Sequence, residues 1–199
     1  MAPLPGLKDP VFDSQRIFRR LMRAMSLPGT VVTIDGIDLP DFEGVMPGSV
    51  AILMALADRE TPGWLEVGLG LSGLGDYLRF HTGAAAAEER EEAVFALIDG
   101  GTGASAFDGF NLGTDEYPDR SATLIVQVEG FGTGEAKIID GPGIKEPREI
   151  SVQGLAAGFW PRWTENQENY PRGVDLFLVG GRDVLGLPRS VREATKEPA

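Results

Sequence analysis

Along residues 122–128 the apolar positions Ala122, Leu124, Val126 and Val128 alternate with Thr123, Ile125 and Gln127. A period of two predicts a pleated strand with one face more apolar than the other. Near the N-terminus the period lengthens. Ile17, Phe18, Leu21, Met22 and Met25 recur at helical spacing, opposite Arg16, Arg19, Arg20 and Arg23. That pattern predicts a helix from a cap at Asp13 to about Met25. Pro28 and Gly29 stop it, and Thr30–Ile34 reads as a strand. A proline- and acid-rich loop, Asp35–Pro47, follows. Ser49 is then placed to cap a second helix, Val50–Asp58, closed by Thr61-Pro62-Gly63.

Trp64–Val67 predicts a short strand, and Leu74–Phe80 a short helix after a glycine-rich turn. Ala84–Glu92 is helix-prone and solvated, Val94–Asp99 is a strand, and Gly100–Asn111 a loop. Beyond Val128 the glycine-rich stretch Glu129–Glu135 suggests a reversal into Ala136–Asp140, a hairpin. Phe159–Gln167 reads as a helix with Pro161 near its first turn. Val174–Val179 is a continuous apolar strand, which Gly180-Gly181 can reverse toward Val184–Leu187. Helices and strands interleave early, and hairpin-like reversals come late. The expected fold class is therefore α/β, a three-layer α/β/α domain with a mixed sheet. One domain over residues 1–199 is expected, flexible at about 1–12 and 193–199, with no internal repeat or linker.

Composition narrows the function. A chain of 199 residues can bury roughly 70% of its unfolded surface and needs no staples. It has no cysteine, which excludes disulfides, thiolate metal sites and cysteine nucleophiles. The first residues lack the basic and apolar regions of a secretory signal, and Val50–Ala57 is too short an apolar run to span a bilayer. A soluble cytoplasmic protein is expected. The net charge of −12 argues against nucleic acid and anionic membranes as partners. Four lysines and fourteen scattered arginines do not advertise a phosphate site.

The loop before the Ala122–Val128 strand is the densest in functional groups. Asp115, Glu116, Tyr117, Asp119 and Arg120 crowd around Pro118. A charged loop on a rigid strand can build a site or a docking surface. The three acids match no hard-cation template, so a solvated turn or a pair with Arg120 is the favoured reading. His81, the one histidine, sits at a predicted helix end. It suits a structural histidine bonded to backbone better than a general base, and it has no second histidine for a metal. Arg172 and Asp175 flank Gly173 where a strand begins. A salt bridge pinning that strand outranks a phosphate or carboxylate contact from Arg172.

Gly68, Gly70 and Gly73 match a dinucleotide-loop spacing, but the acidic ribose ligand at the end of a second strand is missing, so a tight turn is expected. Ser105 and Ser121 lack a nucleophile-elbow context. Trp160, Trp163 and Tyr170 form an aromatic cluster of core or interface type. From the residues alone the reading stops at a soluble α/β domain with no demonstrable active site.

Six segments in order resemble the PhnH family, whose members are components of the carbon–phosphorus lyase core complex. They are Asp9–Gly29, Leu78–Ala84, Gly113–Val128, Asp140–Ile144, Asn169–Val179 and Leu187–Ser190, and they span nearly the whole chain. The resemblance implies a phosphonate-utilisation protein that assembles with subunits G, I and J, with the L protein acting alongside. That complex displaces adenine from ATP with an alkylphosphonate, giving ribose 1-alkylphosphonate 5-triphosphate. The resemblance also implies a fold similar to that of pyridoxal-phosphate-dependent transferases, without the cofactor site. No cofactor, no metal and no catalytic residue is assigned to this chain. His81, Asp115, Arg120, Arg172 and Asp175 are the candidates for an interface or for completing a site. The alternatives are an independent small-molecule enzyme using His81 with Asp115 or Arg120, and a homodimeric scaffold.

Overall fold

The computed structural model describes residues 4–66, 68–69 and 73–194. The chain begins with α1, Pro10–Ser26, which starts one turn earlier than expected. Its N-cap is Asp9, whose side chain accepts from the Phe12 N–H, with Pro10 in the first turn. Asp13, the expected cap, is buried inside that turn and accepts from the Asp9 N–H at 2.9 Å, so the two acids satisfy donors reciprocally, much as in a capping box. Ile17, Leu21 and Ala24 bury the inner face of α1, each large side chain contributing about 1.5–3 kcal/mol. Phe18 and Met22, expected on that face, stand half-exposed at 49% and 52%. The buried stripe is narrower than the sequence suggests, and α1 lies close to the sheet, where a Cβ on Gly186 would come 2.7 Å from the Ala24 backbone.

Six strands form the main sheet: β1 (Val31–Thr33), β2 (Gly63–Leu65), β3 (Phe95–Asp99), β4 (Thr123–Gln127), β7 (Asp175–Gly180) and β8 (Asp183–Leu187). Their order is β1-β8-β7-β4-β3-β2. The run from β2 through β3 and β4 to β7 is parallel, while β8 and β1 are antiparallel. Both faces are covered, so the central strands read as nearly unbroken apolar runs. Leu97, Ile125, Phe177 and Val179 pack toward one core with α1, α2 (Pro47–Leu56) and α3 (Leu74–Thr82). Ala96, Ile98, Leu124, Val126, Leu176 and Leu178 pack toward the other. That second face is built by α4 (Phe159–Glu168) and by a small three-stranded sheet of β6 (Arg148–Gln153), β5 (Gly130–Asp140) and β9 (Arg192–Glu193). The fold is thus mixed α/β, with a mixed sheet.

α2 is apolar around its whole circumference and buried from Gly48 to Met54, as a helix surrounded by protein must be. Ser49 is wholly buried and its hydroxyl has no partner, so it does not cap. The N-cap is Met46, and Gln127 at the end of β4 accepts from its N–H at 2.6 Å. Gln127 also donates to the Gly44 carbonyl at 2.8 Å, clamping the approach to α2 onto the sheet.

Three expectations change. Ala84–Glu92 is not a helix. Gly83, left-handed at φ +79°, ends α3, and Ala85 and Ala87 then bond to the backbone of Gly63 at the sheet edge. A single 3-10 turn, Arg90–Glu92, remains. Tertiary pairing has overridden alanine's helix propensity. Second, the Glu129–Glu135 stretch does not close a hairpin. It continues as the start of β5, with a bulge between Phe131 and Glu135, and pairs with β6; the reversal falls at Gly141–Ile144. Third, the segment to residue 12 is engaged from residue 4 onward. The Leu4 carbonyl bonds His81, the Pro5 carbonyl accepts from the Tyr77 hydroxyl, and Pro10 already opens α1. Val67 of the expected strand at 64–67, and Gly70 to Ser72 of the glycine-rich turn, lie outside the described residues.

Candidate functional site

The end of the sheet where β3, β4 and β7 begin gathers most of the polar chemistry. Asn111 sets the approach, its side chain accepting from the Gly113 N–H at 2.8 Å while its carbonyl receives the Ala122 N–H. Gly113 stands at φ +74° with no room for a Cβ, which would lie 2.8 Å from the Pro118 carbonyl. Only glycine closes the loop there. Thr114 accepts from the Tyr117 N–H at 2.9 Å, and Pro118–Arg120 forms one 3-10 turn leading into β4.

Arg189, in the chain leaving β8, is the hub. Its side chain is 13% exposed and that of Asp175, the first residue of β7, is 21% exposed. Asp175 Oδ1 accepts from the Arg189 backbone N–H and from Nε, and Oδ2 accepts from Nη2. Nη1 donates to the Pro118 carbonyl and Nη2 to the Ser121 hydroxyl. A planar guanidinium engaging a carboxylate through two nitrogens is the geometry arginine favours and lysine cannot copy. Both oxygens of Asp175 are occupied by this pairing, so the arrangement positions the rim; it does not offer a free acid or base.

The Arg172–Asp175 pairing expected from sequence does not form. Asp175 takes Arg189, and Arg172 Nε instead reaches Asp115 at 3.3 Å, with both side chains exposed at 46% and 83%. Such an open pair contributes little to stability, about 0–1 kcal/mol. Arg120 lies 4.1 Å over the Tyr117 ring, a cation–π contact, and not in an ion pair with the loop acids. Tyr170 precedes Pro171 across a cis peptide bond and is 62% exposed. It stands apart from Trp160 and Trp163, which are buried against each other with ring centroids 5.5 Å apart. Two surface cavities, about 330 and about 290 Å³, share Tyr170, Arg189 and Ser190 as lining residues.

The structure therefore brings Asp115, Arg120, Arg172 and Asp175 to one rim and leaves His81 elsewhere. His81 lies on α3, where Nε2 meets the Leu4 carbonyl at 2.9 Å and the ring packs on Tyr77 and Phe80. Sequence reasoning misses Arg189 and meets Ser121 only as a serine without a nucleophile context. The one available signal is that Leu187–Ser190 belongs to the family pattern, and nothing local ties Arg189 to a carboxylate fourteen positions back. Among the described residues no group of three or more histidine and carboxylate side chains is placed to hold a metal. No helix among them is long and apolar enough to cross a membrane.

Among the described residues the lysines do not fit a pyridoxal phosphate site. Lys137 Nζ sits 2.9 Å from Glu135 and 3.2 Å from Glu193, and the hydrogen bond to Glu135 raises its pKa above the usual lysine value. A Schiff-base lysine needs the opposite shift. Its side chain is only 16% exposed, whereas Lys8 and Lys145 are exposed and Lys196 lies outside the described residues.

Fold and site together define a mixed-sheet α/β domain with a rim of arginine and tyrosine side chains. The family model described as bacterial phosphonate metabolism protein (PhnH) matches residues 5–194, and the chain belongs to that family. It is 40% identical over 185 residues to the alpha-D-ribose 1-methylphosphonate 5-triphosphate synthase subunit PhnH of Rhizobium meliloti (strain 1021), covering 92% of each chain. It is 34% identical over 176 residues to the putative C-P lyase subunit protein HtxG of Stutzerimonas stutzeri, covering 88% of this chain and 83% of that one.

Proposed function

We propose that this chain is a subunit of a carbon–phosphorus lyase assembly and acts by docking on partner subunits through the Arg189 rim. Tyrosine and arginine are the residues most often responsible for binding energy at protein interfaces. Here Tyr117 and Arg120 lie beside the Pro118 and Ser121 groups that Arg189 holds, and Tyr170 and Arg172 lie just before its partner Asp175, so little backbone ordering entropy is lost on docking. That preorganised aromatic and arginine surface is the observation that carries the reading. The family resemblance supplies the partners, subunits G, I and J. It also supplies the reaction served, replacement of adenine on ATP by an alkylphosphonate. A fold related to the pyridoxal-phosphate-dependent transferases, with the cofactor chemistry lost, belongs to the same proposal.

Affinity-tagged chain co-expressed with subunits G, I and J tests it. The double variant Tyr117→Ala/Tyr170→Ala removes two exposed rings (43% and 62%) without touching the core. It should fold normally yet co-purify less than a tenth as much partner. Undiminished recovery of the partners with a folded variant would refute docking at this rim. A homodimer is a second reading, favoured by Val11, Phe18 and Met22, which stand exposed at 75%, 49% and 52% along α1. Light scattering on the isolated chain decides it, a monomeric mass at about 50 µM ruling it out.

A further inference from the structure

Between residues 14 and 34 the chain carries four arginines and no acid, although its net charge is −12. The four lie on α1 at helical spacing, and all of them line one open cleft of about 300 Å³. Its floor is apolar, formed by Ile17, Ile34 and Ile37, all at most 4% exposed. Its far wall is the chain leaving β1. Gly36, at φ +65°, turns that chain. The wall is tied down by the Ile34 N–H donating to the Arg182 carbonyl and by Arg182 Nη1 donating to the Ile37 carbonyl at 2.7 Å.

Carboxylates satisfy only part of this charge. Arg16 Nη2 reaches Asp13 at 2.5 Å and the Gly36 carbonyl at 3.2 Å, and Arg20 meets the exposed Asp35 at 3.4 Å. Among the described residues Arg19 and Arg23 have no ion-pair partner. Four guanidiniums thus face two carboxylates. Like charges three and four positions apart on a helix destabilise it, so an anion in the cleft would relieve a strain that the folded chain retains.

We infer that the cleft is a binding site for a linear polyphosphate group carried by a small molecule. Arginines 16 to 23 span seven residues, about 10 Å along the helix, which matches an extended triphosphate better than a single phosphate. Guanidinium forks bind phosphoryl oxygens in pairs, and a concave wall focuses the positive potential. The apolar floor suits the remainder of such a molecule. The site lies on α1, not on the loops of the docking rim, and goes beyond that reading.

Isothermal titration of the full chain at low ionic strength, with tripolyphosphate, orthophosphate and a hexaglutamate peptide as probes, tests it. Tripolyphosphate should bind at least tenfold more tightly than either of the others. Arg19→Gln/Arg23→Gln should weaken it at least tenfold. Arg59→Gln/Arg79→Gln, the same charge change away from the cleft, should weaken it less than twofold. Arg19→Lys/Arg23→Lys keeps the charge and loses the forks, and should fall between. The inference is overturned if tripolyphosphate does not bind below millimolar concentration, or if the two glutamine pairs weaken it alike. Equal binding of hexaglutamate also overturns it, in favour of an acidic protein segment.

Discussion

Replacing Arg189 with methionine would remove one cation and take a side-chain donor from each of three groups. Asp175, with its side chain only 21% exposed, would keep its charge with only the backbone N–H of residue 189 as a donor. The Ser121 hydroxyl would lose its donor, and the Pro118 carbonyl would keep only the Ser121 N–H at 3.4 Å. Removing one partner of a buried ion pair costs about 3–5 kcal/mol. The residual exposure of both partners places this one at the lower end, about 3 kcal/mol. For a domain of this size each kcal/mol moves Tm by about 2–4 °C, so a fall of roughly 6–12 °C is expected. Thermal unfolding followed by circular dichroism would read it. The companion Arg189→Met/Asp175→Leu removes both charges together, and apolar replacement of a whole pair is often neutral. It should recover most of the loss. A single variant within about 1 kcal/mol of the parent would refute the reasoning, as would a double variant no better than the single one.

Two further outcomes follow from groups outside the rim. Gln127→Leu leaves the Met46 N–H and the Gly44 carbonyl unpaired beneath α2, each about 1–3 kcal/mol, and should lower the urea midpoint with an unchanged slope; an unshifted midpoint would contradict the clamp. Asp13 has its pKa lowered chiefly by the Asp9 backbone hydrogen bond and then by Arg16. A lowered folded value means stabilisation that is fully present above the unfolded value near 3.8 and lost as pH falls through the folded one. Asp13→Asn should therefore unfold more easily than the parent at pH 7, with the gap closing below about pH 4; a gap independent of pH would count against it.

Much of the sheet is readable in the sequence because the buried strands obey simple rules. Thr123–Gln127 and Asp175–Gly180 lie within one residue of the ends their patterns predict, since period two or an apolar run between turns has few other solutions. Ala84–Glu92 misleads because its alanines favour a helix only when no strand edge competes, and Gly63 supplies one. β6 escapes notice because only Ile150 and Val152 of Arg148–Gln153 are apolar, too few to stand out although they alternate and are buried. At the candidate site, sequence correctly places Arg172 and Asp175 near the start of β7 but wrongly joins them. A partner three residues away is visible in a sequence, whereas Arg189 reaches Asp175 only after the β7–β8 hairpin has folded the chain back on itself. The four arginines of α1 are legible as a charged face, but not as the wall of a cleft, because the opposite wall comes from the loop after β1.

The convergence of one guanidinium on β7, the Pro118 turn and Ser121 has a consequence for assembly. Arg189 reaches none of those acceptors until the hairpin returning through β8 has closed, so the rim exists only on a chain whose last central strands are seated. A partner that recognises it therefore inspects the completed sheet, not a local motif. Nascent or partly opened chains present no such surface and are passed over, while each docking event draws the population toward the closed form by mass action. With partners docking on this rim as proposed, the hub would make entry into a larger complex a checkpoint on folding.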